Sequence, residues 1–286
     1  MTGFKKRLAS TALATAMTLT ALPVSVFLIS TDAEAGVPNG FAYTQGTRFM
    51  LDGSPFYYAG TNCYYLTFKS QEAVDSVFKD AEAMGLKVIR VWGNLDVGVK
   101  TGTTDSEGKP VFTNNNDGPG EKDGIYFQYF DKDLGKPVIN EGKDGLQKLD
   151  YALYQAEKHG IKLLITFTNY WDAFGGMGQY IKWAQELGIT GLKKDDFYTN
   201  ETLKGWYKDY VNGLLNHTNP YTGRKLKDEP SVFAWELANE PRCNTDAQCK
   251  DNILYNWAKE MSEYVKSIDP NHMVSLGDEG FFNRPY

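Results

Sequence analysis

Beyond residue 35, short apolar runs rich in Val, Ile, Phe and Trp alternate with longer stretches whose apolar positions recur at helical spacing. The first pattern is that of a buried strand, the second that of an amphipathic helix. Strands are predicted over 57–62, 86–92, 161–168, 232–238 and 272–276. Between them, the helix predicted over 71–84 aligns Val74, Val77, Phe78 and Ala81 behind a capping Ser70, and Gly85 stops it. The stretch 144–159 repeats the device with Leu146, Leu149 and Leu153 ahead of Gly160. Residues 200–216 open on Asn200 and align Leu203, Trp206, Tyr210 and Leu214, and 251–268 stop short of Pro270. Strand alternating with helix predicts a parallel sheet with helices packed on it.

Two connections, 93–143 and 169–199, are too long for simple turns and are rich in Gly, Asn, Asp and aromatic residues. Loops of that length commonly carry function. The run Asn114–Gly118 lacks calcium-loop spacing and reads as loop, and no repeat of fixed period is visible. The length after residue 35 suits a (β/α)₈ barrel of roughly 250 residues. Only five strands are found, because the two long connections consume the residues that further units need. The expected fold class is therefore α/β, a (β/α)8 TIM barrel truncated after about the fifth strand. A five-stranded arc leaves edges and an inner face uncovered, so the protein is expected to continue past Tyr286.

Residues 1–35 read as a signal peptide. Lys5, Lys6 and Arg7 precede a mostly apolar stretch over 8–29, and Ala33-Glu34-Ala35 gives a small-x-small cleavage pattern. Pro23 and six Ser/Thr within the stretch argue against a membrane anchor. Cleavage after Ala35, secretion to the extracellular space and no membrane partner thereafter are expected. A net charge of −6 with no basic stripe excludes nucleic acid and disfavours polyphosphates, so a neutral polymer is the better partner. A monomer is expected. Cys243 and Cys249 lie six apart in a polar segment of an exported chain, where a disulfide is permitted. Cys63 is left over and reads as a buried free thiol.

The strongest chemical signal is WELANEPRC at 235–243, an apolar strand that ends in Asn239, Glu240 and Pro241. A carboxyl at the C-terminal end of a barrel strand faces the active site of that fold. Pro241 is expected to hold Glu240 extended, and Asn239 offers a donor and an acceptor for a sugar hydroxyl. The rival reading, a surface turn with a solvated glutamate, is weakened by the apolar strand ahead of it. Arg90 lies inside an apolar run and needs carboxylate partners. Glu236 shares the strand parity of Glu240 and reads as structural, a possible partner of Arg90. Tyr64, Trp92, Asn169 and Trp171 follow the first three strands, where aromatic faces would stack on pyranose C–H faces. Trp183, Trp206, Trp235 and Trp257 read as packing. His159, His217 and His272 lack metal-ligand spacing, and neither a nucleophile elbow nor a phosphate-cradling loop is present. No metal and no cofactor are expected.

Several ordered segments resemble glycoside hydrolase family five, and within it the endo-β-1,4-mannanase branch. They are VIRVWG with Arg90, GLQKLDYAL at 145–153, TNYWDAFGG at 168–176, FYTNETLKGWYKDYV at 197–211, NPYTG at 219–223, WELANEPRC, and SLGDEGF at 275–281. The resemblance covers Phe41 to Tyr286, making 36–286 a partial catalytic domain. It implies a retaining mechanism with Glu240 as general acid/base and a second carboxyl roughly 5 to 5.5 Å away as nucleophile. In the family that nucleophile is a glutamate near the end of the seventh strand, which places it beyond residue 286. Glu279, in a motif the family has in addition, is not taken for it. The resemblance also makes Arg90 the residue that keeps the nucleophile ionised and Asn169 a cleft residue. The expected substrate is a mannan-type polysaccharide, cut internally. The alternatives are a β-1,4-glucanase of the same family and a non-catalytic carbohydrate-binding fragment, and the chain as it stands is expected to be inactive.

Overall fold

A computed structural model describes residues 37–116, 124–243 and 252–280. The signal-peptide residues, Cys249 and the end of the Asn114–Gly118 run lie outside them. Strands β1 (Ala42–Gln45), β2 (Arg48–Leu51) and β3 (Ser54–Pro55) form an antiparallel ribbon. Then follow β4 (Gly60–Asn62), α1 (Gln71–Ala83) and β5 (Val88–Trp92). The first long connection holds β6 (Asp96–Thr104), β7 (Pro110–Thr113), β8 (Gln128–Asp131) and β9 (Lys136–Ile139). Next come α2 (Gln147–Lys158), β10 (Lys162–Thr166), α3 (Gly176–Glu186) and α4 (Glu201–Asn216). The described chain finishes with β11 (Val232–Glu236), α5 (Ile253–Ile268) and β12 (Met273–Ser275).

The five predicted strands form one parallel sheet in the order β4-β5-β10-β11-β12, the sequential order of a (β/α)₈ barrel. Register sets Leu164 beside Arg90 and Ala234, and Thr166 beside Trp92 and Glu236. Even-numbered positions of the middle strands therefore share the inner face. The odd positions Ile89, Val91, Leu163, Ile165 and Trp235 are buried with Val74 and Phe78 of α1, Leu149 and Leu153 of α2, and Leu214 of α4. At the register shift where Phe233 has no partner on β10, it joins Val88 and Ala234 in a separate cluster with Ala42, Phe56 and Leu164. The ribbon reaches this cluster through Phe49, whose ring centroid lies 5.3 Å from that of Phe233.

Both long connections are more ordered than their sequence suggested. The first folds into a four-stranded sheet in the order β7-β6-β8-β9, and the second contains α3 and a 3₁₀ turn over Lys194–Tyr198. Helix α3 escaped notice because it opens on Gly176-Met177-Gly178, where glycine lowers helix propensity. Packing compensates, since Tyr180, Trp183 and Ala184 are fully buried. The Asn114–Asn116 run joins the two loops: Asn114 Nδ2 donates to Lys182 O, and Asn116 Nδ2 donates to Gly175 O at 3.0 Å. Trp183, Trp206, Trp235 and Trp257 are all buried, and Cys63 is a buried free thiol.

Candidate active site

Past its last strand residue, β11 stays bonded to both neighbours. Leu237 N donates to Ser275 O, Asn239 N to Thr168 O, and Glu240 N to Gly277 O at 2.9 Å. These bonds fix the backbone up to the carboxylate. The extended conformation expected of Glu240 is not what forms: its φ is +48°, in the left-handed region. Pro241 disfavours the right-handed region, and holding the Glu240 N–H on Gly277 O while the chain reverses requires the other hand. Such a conformation costs roughly 1–3 kcal/mol for a non-glycine residue and gathers at functional sites. In this turn the Glu240 carboxylate accepts a 2.6 Å hydrogen bond from Trp171 Nε1.

Gly277 makes the close approach possible. Its φ is +87°, and a Cβ there would lie 2.1 Å from Ala238 O and 2.6 Å from Glu236 Cδ.

Below Glu240 lies a polar ladder. Glu236, 4% exposed, accepts from Arg90 Nε at 3.1 Å through each carboxylate oxygen, and Arg90 Nη2 also binds Glu236. Arg90 Nη2 donates further to Asn239 Oδ1 at 2.8 Å, and Asn239 Nδ2 donates to Asn169 Oδ1 at 2.9 Å. Asn169 Nδ2 donates to Ala173 O, while its Oδ1 also accepts from Trp171 N at 3.2 Å.

Three of the residues expected at the site, Arg90, Asn169 and Asn239, have polar atoms bonded to protein in this ladder, and a fourth, Trp92, packs beside it. Arg90 is closed on Glu236 and Asn239, because a buried carboxylate must be paired where the strands bring a guanidinium beside it. Asn169 is 2% exposed, and its Oδ1 accepts from both Asn239 Nδ2 and Trp171 N. Trp92 is 8% exposed, lies 5.6 Å from the Phe174 ring and sits beneath the Arg90 guanidinium at 5.5 Å. Its ring is therefore largely enclosed. Asn239 is itself 8% exposed, with Oδ1 and Nδ2 both bonded to protein.

Two expected cleft residues keep open faces. Trp171 is 41% exposed and Tyr64 46%, the latter edge-on to Phe174 at 5.8 Å.

The sequence reading assigned no role to Arg242, although it lies inside the WELANEPRC run. Its guanidinium stands 5.0 Å from the Trp171 ring and binds both carboxylate oxygens of Glu279. Its carbonyl accepts from Tyr198 Oη at 2.9 Å. Only folding reveals this cluster, because Arg242 and Glu279 are 37 residues apart. Cys243 is disulfide-bonded, and its expected partner Cys249 lies outside the described residues.

Among the described residues, no group of three or more His, Cys, Asp or Glu side chains is arranged to hold a metal ion. The three histidines are hydrogen-bonded to separate carboxylates, His159 to Glu82, His217 to Asp150 and His272 to Asp269. What converges at the strand ends is the Glu240 carboxyl, the Trp171 indole bonded to it, and the partly exposed rings of Trp171 and Tyr64. That set suits proton transfer to a ligand that presents C–H faces.

The chain matches the model of a family described as GH family 5 beta-mannosidase-like over residues 39–284. A probable mannan endo-1,4-beta-mannosidase F of Aspergillus oryzae is 42% identical over 241 residues, which is 84% of this chain and 44% of that protein. A probable mannan endo-1,4-beta-mannosidase A of Aspergillus flavus is 39% identical over 248 residues, 86% of this chain and 54% of that protein. The chain thus spans about half the length of the curated relatives it matches. Among solved structures, the endo-1,4-beta-mannanase of Rhizomucor miehei superposes with a TM-score of 0.71 at 41% identity, covering 85% of this chain and 62% of that one. The endo-beta-1,4-mannanase of Thermotoga petrophila gives 0.66 at 40% identity, covering 82% and 45%. With the sequential parallel sheet and the strand-end glutamate already described, the match over nearly all described residues leads to one conclusion: this chain belongs to glycoside hydrolase family 5, in its β-mannosidase-like branch.

Proposed function

We propose that the protein carrying this chain is a secreted, retaining endo-β-1,4-mannanase in which Glu240 is the general acid/base. The observation that carries the reading is the Glu240 carboxyl at the C-terminal end of β11, tied through one oxygen to Trp171 Nε1. In the first half-reaction the protonated carboxyl gives its proton to the departing glycosidic oxygen; in the second it takes a proton from water. The indole N–H holds the group in one orientation through both steps, lowering the entropy lost at the transition state. Trp171 and Tyr64 supply faces for mannosyl rings. Arg90 and Asn169 hold Asn239, which in turn keeps Glu240 in register. Glu236 and Glu279 are each closed by an arginine, so the reading gives the attacking role to neither.

Mannan is favoured over cellulose because the relatives and structures at about 40% identity are named mannosidases or mannanases. Secretion rests on the leader pattern of residues 1–35. Among the described residues no helix is long and apolar enough to cross a membrane.

The test uses the longest natural polypeptide that carries this chain. Glu240→Gln should lose at least about 10²-fold in turnover on mannan while still binding mannooligosaccharide. Unchanged turnover would refute the assignment, and faster reducing-sugar release from cellulose than from mannan would move the substrate to β-glucan.

A further inference from the structure

Asp96 opens β6, 3% exposed and outside the strand-end cluster. Each of its described carboxylate partners is an N–H donor. Gln128 Nε2 reaches Oδ1 at 2.8 Å, while Asn94 Nδ2 at 3.3 Å and the Gly176 backbone N–H at 3.1 Å reach Oδ2. Gly176 is the first residue of α3, so the charge also lies at the positive end of that helix. The Asp96 backbone N–H donates to Phe174 O at 3.0 Å. Phe174, Gly175 and Gly176 are three consecutive residues with positive φ. A Cβ on Gly175 would come within 2.3 Å of Asp96 O.

From this turn the bonds run to the site. Met177 N donates to Asn169 O, Asn169 Nδ2 to Ala173 O, and Trp171 N to Asn169 Oδ1. Trp171 Nε1 then binds Glu240.

We propose that Asp96, as a carboxylate, is a positioning residue: it holds the Asn169–Gly176 loop in the conformation that sets Trp171 against Glu240. Protonation puts an O–H among three N–H donors. Asn94, already bonded to Asp96 through Nδ2, carries an acceptor, Oδ1, that is buried without a partner. An Asn94 amide that turns toward the new proton gives up its 3.2 Å bond to Phe174 O and loosens the turn. Burial pushes the Asp96 carboxyl up to about 7 against its hydrogen bonds from Gln128, Asn94 and Gly176. The titratable groups facing it are the phenols of Tyr180 on α3 and Tyr210 on α4, both held neutral by burial. On the solvent side of the loop Asp172 pairs with Lys194.

The inference deepens the reading of Glu240 as acid/base, and its test is separate from turnover. Trp171 is the exposed tryptophan; Trp92, Trp183, Trp206, Trp235 and Trp257 are each 8% exposed or less. Iodide quenching of tryptophan emission therefore reports the loop. On the intact chain with Glu240→Gln, which removes titration of the neighbouring carboxyl, the quenchable fraction should change with a midpoint near pH 7. Asp96→Asn should abolish that change. Gln128→Met removes one donor to the carboxylate and should raise the midpoint by at least about half a pH unit, which decides the matter if Asp96→Asn does not fold. A flat profile, a transition that survives Asp96→Asn, or an unmoved midpoint in Gln128→Met overturns the proposal. None of these results bears on whether Glu240→Gln loses turnover.

Discussion

Glu240 and Gly277 show what one residue contributes here. Glu240 occupies a backbone region that glycine prefers, and Gly277 occupies one where only glycine fits, since its absent Cβ leaves room for Ala238 O and the Glu236 side chain. Gly277→Ala must either push Glu236 away from Arg90 or break the bond between Glu240 N and Gly277 O. We expect it to cost well over about 1 kcal/mol in stability, seen as a lower urea midpoint. Glu236→Gln separates charge from shape at the same place: it keeps the volume and leaves Arg90 without its anion. From the sequence Glu240 was legible, because an apolar strand ending in Asn-Glu-Pro marks where a carboxyl must sit. Its left-handed conformation was not, because that depends on Gly277, 37 residues further on.

At the scale of elements, the helices that pack on the sheet read well because each has a start, a stripe and a stop within its own few turns. Asn200 is the clearest start: its Oδ1 accepts from Thr202 N at 3.0 Å and Leu203 N at 3.2 Å. Asn200→Ala should destabilise α4 by about 1 kcal/mol, measured as a shift in thermal midpoint with no change in the folded circular dichroism spectrum. The elements inside the long connections did not read. Strand β6, with the sequence DVGVKTGTT, is buried over its first four residues and exposed over the rest. No single period describes it, because its surroundings change along its length. Helix α3 begins with a residue at positive φ and depends on Asp96 and Asn116 of the other loop to fix its start.

For the whole molecule, one buried pair joins two helices with a strength that depends on pH. His217, at the end of α4, meets Asp150 of α2 at 2.8 Å. Burial alone would lower the His217 pKa, but the hydrogen bond and charge of Asp150 outweigh it and the value is raised. Burial raises that of Asp150. A histidine whose folded-state value is raised binds its proton more tightly when folded, so the His217 contribution is fully present below the ordinary histidine value of about 6.5. It is lost as pH rises through the higher folded value. His217→Ala should therefore cost about 3 kcal/mol near that lower limit, and progressively less in alkaline buffer. A gap in thermal midpoint that widened with rising pH would contradict this account of the pair.

By itself the sequence determined the order of the five sheet strands and of the four helices α1, α2, α4 and α5, the face each of those helices buries, and the place of Glu240 at a strand end. Those features depend on periodicity and on local stops, which act over a few residues. Tertiary structure alone decided that Arg90 closes on Glu236, that Arg242 takes Glu279 and stands over one face of Trp171, that Trp92 is enclosed, and that the long connections are folded. Each of those outcomes depends on which side chains parallel register and loop packing bring within hydrogen-bond or van der Waals range. In a sheet whose neighbouring strands lie tens of residues apart along the chain, spacing in the sequence carries no record of that choice.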